Sequence, residues 1–165
     1  MTIYDVLRHE HSVIRTCLKR IQDLGERRPA TRQRHFLQLQ TLLGVHAAAA
    51  EAIFHAPLRE HELTDALARR GRIRYDVAGS LMEVIAALEP GDPDWTAYFA
   101  VLGEVLELHM RQEEKEMFRK ARKVLDAATE ELMGEAMRQA GKVRETRAMA
   151  EIQPVLAGES SRSLH

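Results

Sequence analysis

The chain has 165 residues, 45% apolar and 30% charged, which suits one soluble domain able to bury a core. A formal net charge of −1 gives no electrostatic basis for binding nucleic acid or an anionic membrane. The single cysteine, Cys17, excludes an internal disulfide and a cysteine-based zinc or iron–sulfur centre, and reads as a small packing residue.

Gly and Pro are few and fall between long periodic stretches, with no alternating strand pattern, so the chain reads as helices joined by short loops. Thr2 is the expected cap of the first helix, with Asp5 three residues on. Its apolar stripe is Tyr4, Leu7, His11, Ile14, Leu18 and Ile21, and it stops at Gly25. Thr31 is the expected cap of the second helix, whose stripe is Phe36, Leu39, Leu43, His46, Ala50 and Ile53. Pro57 ends or kinks it. The third helix is predicted from about Glu62 to Leu88, with Gly71 a weak point and Leu81, Val84, Ile85 and Leu88 facing the core. Glu89-Pro90-Gly91-Asp92-Pro93-Asp94 is the clearest turn.

The fourth helix is predicted from Trp95 to about Val124, with Tyr98, Leu102, Val105, Leu106, His109 and Glu113 on its stripe. A fifth is predicted from Thr129 to about Glu145, and its apolar residues Leu132, Met133, Met137 and Val143 either cap the bundle or pair with a second copy in a homodimer. The expected fold is all-α: an up-and-down antiparallel four-helix bundle with an additional C-terminal helix. The bundle is expected over residues 1–148 and a poorly ordered tail over 149–165. The opening residues do not read as a signal peptide and no apolar run is long enough to span a bilayer, so a reducing cytoplasm is the expected location.

One helical hairpin is weakly repeated. His46 is followed by Glu51 five residues on, and His109 by Glu114 at the same offset. His11 lies 35 residues before His46, and Tyr75 lies 34 before His109.

Helical spacing places His11, His46 and His109 on the apolar stripes of three different helices. A lone core histidine is usually a hydrogen-bonded packing residue, but three of them beside the inward carboxylate of Glu113 require more. A buried ionised carboxylate needs a partner. A cation would supply one, and neutral imidazoles would complete its shell. Mixed imidazole and carboxylate donors suit iron, manganese or zinc. His9 faces solvent. His55 lies about 180° from His46 in a regular helix, which excludes it from the set unless the helix distorts near Pro57.

These residues resemble the hemerythrin-like HHE cation-binding family over roughly residues 2 to 142. The likeness rests on the opening helix from Ile3 to His11 and on the second-helix block from His46 to Leu58. It also rests on His109-Met110-Arg111-Gln112-Glu113-Glu114-Lys115-Glu116-Met117-Phe118, with Trp95 and the run from Arg119 to Arg122. The resemblance implies a helical bundle around a non-haem metal pair, usually iron, held by five histidines and two bridging carboxylates. The family's roles include binding oxygen or nitric oxide, handling peroxide, iron storage and sensing. Of the family's ligands, His11, His46, His109 and Glu113/Glu114 carry over.

Two positions depart from the pattern. Ala50 stands where a carboxylate is usual, and the third helix reads Arg74-Tyr75-Asp76 where one or two histidines are usual. Three outcomes stay open. Tyr75 and Glu51 could rebuild a two-metal site; His11, His46, His109 and Glu113 could hold one metal; or the bundle could be a metal-free structural or interaction module. The expected cofactor is iron, as one or two ions, with zinc or manganese as alternatives. The expected partner is a small diatomic or peroxide ligand. Any enzyme activity would be peroxide decomposition or another redox reaction at iron, because no Ser/His/Asp or Cys/His arrangement and no phosphate-cradling loop is present.

Overall fold

A computed structural model of the chain describes the backbone of residues 1–160 and the side chains of residues 1–143. It is all-helical, with no strand among the described residues. The tail expected over 149–165, with His165, lies outside the described side chains.

Helix α1 spans Ile3–Leu24. The Asp5 carboxylate accepts from the Thr2 backbone N–H at 3.0 Å and from its hydroxyl at 2.8 Å, fixing the start as expected. Gly25 ends the helix at φ +56°, a conformation L side chains rarely adopt. Helix α2 begins at Pro29, not behind a Thr31 cap. Proline's fixed φ is preorganised for the first helical position, and its missing N–H is one that would go unsatisfied there anyway. α2 spans Pro29–Ala50, then runs through a π turn over Glu51–His55 to a short end at Ala56–Leu58. Helix α3 spans Glu62–Ala87 and passes through Gly71 unbroken. Helix α4 spans Pro93–Gln112 and runs through a second π turn, Glu113–Met117, to Phe118–Ala121. Helix α5 spans Ala127–Ser160 and starts two residues earlier than expected, because Asp126, not Thr129, is the capping side chain. The Asp126 carboxylate accepts the Thr129 N–H at 2.7 Å.

The expected stripe of α1 is buried throughout. Two expected core positions are exposed, and four, Ile53, Leu81, Leu88 and Val105, are only half-buried. Val84 is 39% exposed and Tyr98 is 37% exposed, while Met82 and Phe99 are buried in their place. Ile53 is only half-buried and Phe54 takes the core position, because the π turn rotates the chain beyond Ala50.

The core is two apolar clusters. One contains Ile14, Phe36, Leu43, Trp95, Phe99 and Met110; the other contains Tyr4, Leu7, Ala50, Phe54, Met117 and Phe118. On α1, α2 and α4 a histidine sits where the chain passes from one cluster to the other: His11 between Leu7 and Ile14, His46 between Leu43 and Ala50, His109 beside Met110 and before Met117. A polar layer is thereby sealed between two water-excluding plugs. α5 covers one end. Tyr4 donates to Glu130 at 2.8 Å, Met137 is buried, and the backbone of Gly134 lies directly against that of Met1, Thr2 and Ile3.

The turn between α3 and α4 is held by a buried arginine. The Arg32 guanidinium lies 4.0 Å over the Trp95 ring and donates to the Pro90 carbonyl at 2.8 Å and the Thr96 hydroxyl at 3.1 Å. Arg32→Leu keeps some apolar packing but loses both charge-assisted bonds. We expect a loss of about 1.5–3 kcal/mol in urea unfolding followed by circular dichroism.

Candidate metal centre

The two π turns create the polar layer. The N–H of Ala56 bonds the carbonyl of Glu51, and that of Phe118 bonds the carbonyl of Glu113, each spanning five residues instead of four. In α2, Pro57 lacks an N–H and so cannot make the ordinary bond back to Ile53. The wider turn accommodates one extra residue, which brings His55 from about 180° to roughly 80° from His46 around the helix. His55 is fully buried. Its exclusion from the inward set is corrected here: the distortion near Pro57 is present and turns it inward.

Glu113 lies at the centre of the layer. Its side chain is 1% exposed and contacts three imidazoles. Nε2 of His55 donates to Oε1, Nε2 of His11 lies 3.0 Å from Oε2, and Nε2 of His109 lies 3.6 Å from Oε2. The His46 ring completes the group, 5.5 Å from the His11 ring between centroids. The Tyr75 ring lies tilted against His109 at 4.2 Å between centroids and borders His46 and His55 at 5.9 and 6.3 Å.

A set of outer carboxylates holds these imidazoles by their other nitrogens. Nδ1 of His11 donates to Glu114 at 2.8 Å, and Nδ1 of His46 donates to Glu10 at 2.5 Å. Nδ1 of His55 lies 3.7 Å from Glu51. Glu114 is also bound by Arg15 at 2.9 Å, and Glu51 by Arg59. Glu51 and Glu114, the equivalent residues of the repeat, therefore occupy equivalent places outside the layer, each beside a histidine and an arginine. Glu10 was missed by sequence reasoning, since it lies beside His11 in the chain but one-third of a turn off the stripe. Pro57 was the signal for His55.

The electrostatics follow from burial and contact. Burial alone would raise the Glu113 carboxyl, but His55, His109 and His11 hold it well below the usual range. Burial lowers the His109 imidazole, and Glu113 only partly restores it. Burial also lowers His11, but Glu113 and Glu114 reverse the effect and leave it raised. The Tyr75 phenol is pushed well above its ordinary value by burial, with Glu113 and Glu10 adding to the rise.

Among the described residues, no three His, Cys, Asp or Glu side chains form a ready-made metal cage, because Glu113 closes directly on the rings around it. The donor chemistry nevertheless fits a cation. Nε2 of His11, Nε2 of His46, both ring nitrogens of His109 and Oε2 of Glu113 are buried without hydrogen-bond partners. With Nδ1 of His11 and His46 facing carboxylates, each ring in its neutral form would present an Nε2 lone pair to the interior. Nε2 of His11 and Oε2 of Glu113 are then two acceptors 3.0 Å apart, which require a proton or a cation between them.

Of the residues singled out in the sequence, His11, His46, Tyr75, His109 and Glu113 come together in the layer, and Glu51 and Glu114 stand just outside it. No curated protein and no solved structure matches the chain. Residues 2–121, which carry the whole layer and both its apolar plugs apart from Met137, match the hemerythrin HHE cation-binding domain. With imidazoles and a carboxylate gathered inside a helical fold over the matched span, the chain belongs to the hemerythrin HHE cation-binding family.

Proposed function

We propose that this protein holds non-haem iron, as one or two ions, in its buried polar layer, and that it binds or reacts with oxygen, peroxide or nitric oxide. The observation that carries the reading is four buried imidazoles in one layer with a buried carboxylate, three of them against it, and ring nitrogens of His11, His46 and His109 without hydrogen-bond partners. His11, His46, His55, His109 and Glu113 would hold the metal, and Tyr75 would add a hard phenolate donor suited to ferric iron. Glu10, Glu51 and Glu114 act from outside, fixing ring orientation and tautomer. Iron would supply one-electron redox chemistry and positions for a small ligand. The apolar clusters on either side exclude bulky substrates, which favours a diatomic molecule or peroxide as the ligand. In the same reading, α1 to α4 form an up-and-down antiparallel bundle with α5 added, the protein works in the cytoplasm, and any catalysis is peroxide decomposition. Within the described residues no helix is long and apolar enough to cross a membrane.

The test is anaerobic reconstitution with ferrous iron, then elemental analysis, an optical spectrum and thermal melting. We expect bound iron, a phenolate–iron(III) band on oxidation, and a metal-dependent rise in Tm that is lost in His109→Ala. Glu10→Gln and Glu114→Gln should retain metal with affinity weakened roughly 10–100-fold, as expected for groups that orient ligands. Zinc or manganese bound in place of iron would revise the metal's identity. A protein that takes up none of the three would overturn the proposal.

One observation favours a second reading, a metal-free structural or interaction module. Ala50 removes a donor, and Glu113 already satisfies His55 directly. On that reading, His109→Ala lowers stability equally with and without added metal.

A further inference from the structure

We propose that the polar layer opens to solvent through a gap between α3 and α4 over Gly71, that a small ligand reaches the centre there, and that the Arg74 side chain covers the gap. Its purpose rests on the metal-binding reading above; its geometry does not. Leu67, Gly71 and Arg74 form one line along α3, at spacings of four and three residues. With His109, Glu113 and Met117 of the α4 segment they border a cavity of about 10 Å³, roughly the room that one water molecule needs. Two larger grooves stop outside the layer. One of about 840 Å³ between α1 and α4 is bordered by Arg15, Glu107 and Arg111, and one of about 350 Å³ beside α5 by Glu10 and Arg138; neither is bordered by an inward imidazole.

The rings themselves locate the opening. The His109 side chain is 3% exposed, whereas those of His11, His46 and His55 are 0% exposed. Both ring nitrogens of His109 are buried without a hydrogen-bond partner, so the imidazole at the cavity has bonding capacity that the protein does not use. Glycine inside a helix is less favourable than alanine, yet an alanine methyl would fit at Gly71. It would lie 3.5 Å from Cε1 of His109 and 3.8 Å from Cε1 of His55, ordinary van der Waals contacts. The missing methyl leaves the edges of these two rings uncovered.

Arg74 is half-buried at the cavity, and its guanidinium takes no hydrogen bond or ion pair among the described residues. Of the charges that act on it, Arg70 repels it, and Glu116 is engaged with Lys120 at 3.7 Å. A long side chain held by packing alone swings out at little cost, because no bond is broken and rotamer freedom is regained. Arg74 thus lies over the ring edges and yields to an entering molecule. The size of the closed cavity limits that molecule to two or three heavy atoms.

Deuterium exchange at Cε1 of the histidines, read by mass spectrometry on the full-length metal-free protein at one pH, tests the route. His46, whose ring does not border the cavity, is the internal reference for global opening. Gly71→Ala should lower the ratio of the His109 rate to the His46 rate at least about threefold, and Arg74→Ala should raise it about as much. Arg74→Met, which removes the charge but keeps a long side chain, should leave it near the wild-type value. With iron, the rates of loading and of removal by chelator should move the same way in Gly71→Ala and Arg74→Ala, with the amount bound unchanged. A ratio unaffected by either alanine variant, or raised equally by Arg74→Met, would overturn the proposal. Failure to take up iron would count against the metal-binding reading alone, because the exchange ratio decides the entrance without metal.

Discussion

His55→Ala should cost the metal-free protein roughly 3–5 kcal/mol near neutral pH, because it leaves Oε1 of the buried Glu113 carboxylate without its hydrogen-bond donor. In a regular helix, the same substitution would change a solvent-facing residue and fall within about 0.5 kcal/mol. Urea unfolding with chelator present distinguishes the two, and a loss below about 1 kcal/mol would contradict the inward placement produced by the π turn. The effect carries a pH signature. The carboxyl of Glu113 is held well below its ordinary value, so its contribution to stability is present above about pH 4.3 and is lost as pH falls through the folded-state value. Removing His55 takes away part of that depression. The stability gap between wild type and variant should therefore be widest near neutrality and narrow on acidification. With iron, His55→Ala should also reduce metal retention, whereas His9→Ala, at an exposed position of α1, should leave it unchanged.

Gly134→Ala is expected to destabilise the protein by about 1–3 kcal/mol, the usual cost of forcing extra volume into a packed contact. Helix propensity alone predicts the opposite, a gain of about 1 kcal/mol for alanine over glycine inside a helix. A Cβ at Gly134 would lie 2.4 Å from the Met1 carbonyl oxygen, 2.8 Å from the Thr2 carbonyl carbon and 2.9 Å from the Ile3 nitrogen. These are backbone atoms, and Thr2 and Ile3 are anchored by the capping box, so they have little room to yield. α5 must then shift off the start of α1, loosening the Tyr4–Glu130 bond. Thermal melting and hydrogen exchange at the N-terminus of α1 would report the change. A raised Tm would show that α5 does not dock there.

The helical architecture was legible from short-range pattern. The stripe from Tyr4 to Ile21 repeats at the helical period, so its buried face needed no tertiary information. Thr2 with Asp5, Gly25 and the Glu89–Asp94 turn are local signals, and the chain obeys them. Where apolar residues fall on more than one side of a helix, local pattern failed. On α3 and α4 it counted the exposed Val84 and Tyr98 with the core residues, because only packing reveals which apolar positions are covered.

The inward histidines show the same division. The sequence by itself determined that His11, His46, His109 and Glu113 share the buried sides of their helices, since the three histidines sit on regular segments and Glu113 directly follows one, so angle follows from residue number. Pro57 signalled a distortion, but only the structure decided the place of His55, because a π turn changes the angle for every residue after it and no fixed period gives its size. The structure also decided that Glu10, Glu51 and Glu114 stand behind the imidazoles. The Glu10–His46 and Glu114–His11 contacts, like the one between Gly134 and the Met1 carbonyl, join residues far apart in the chain, and their distances are set by how the helices pack.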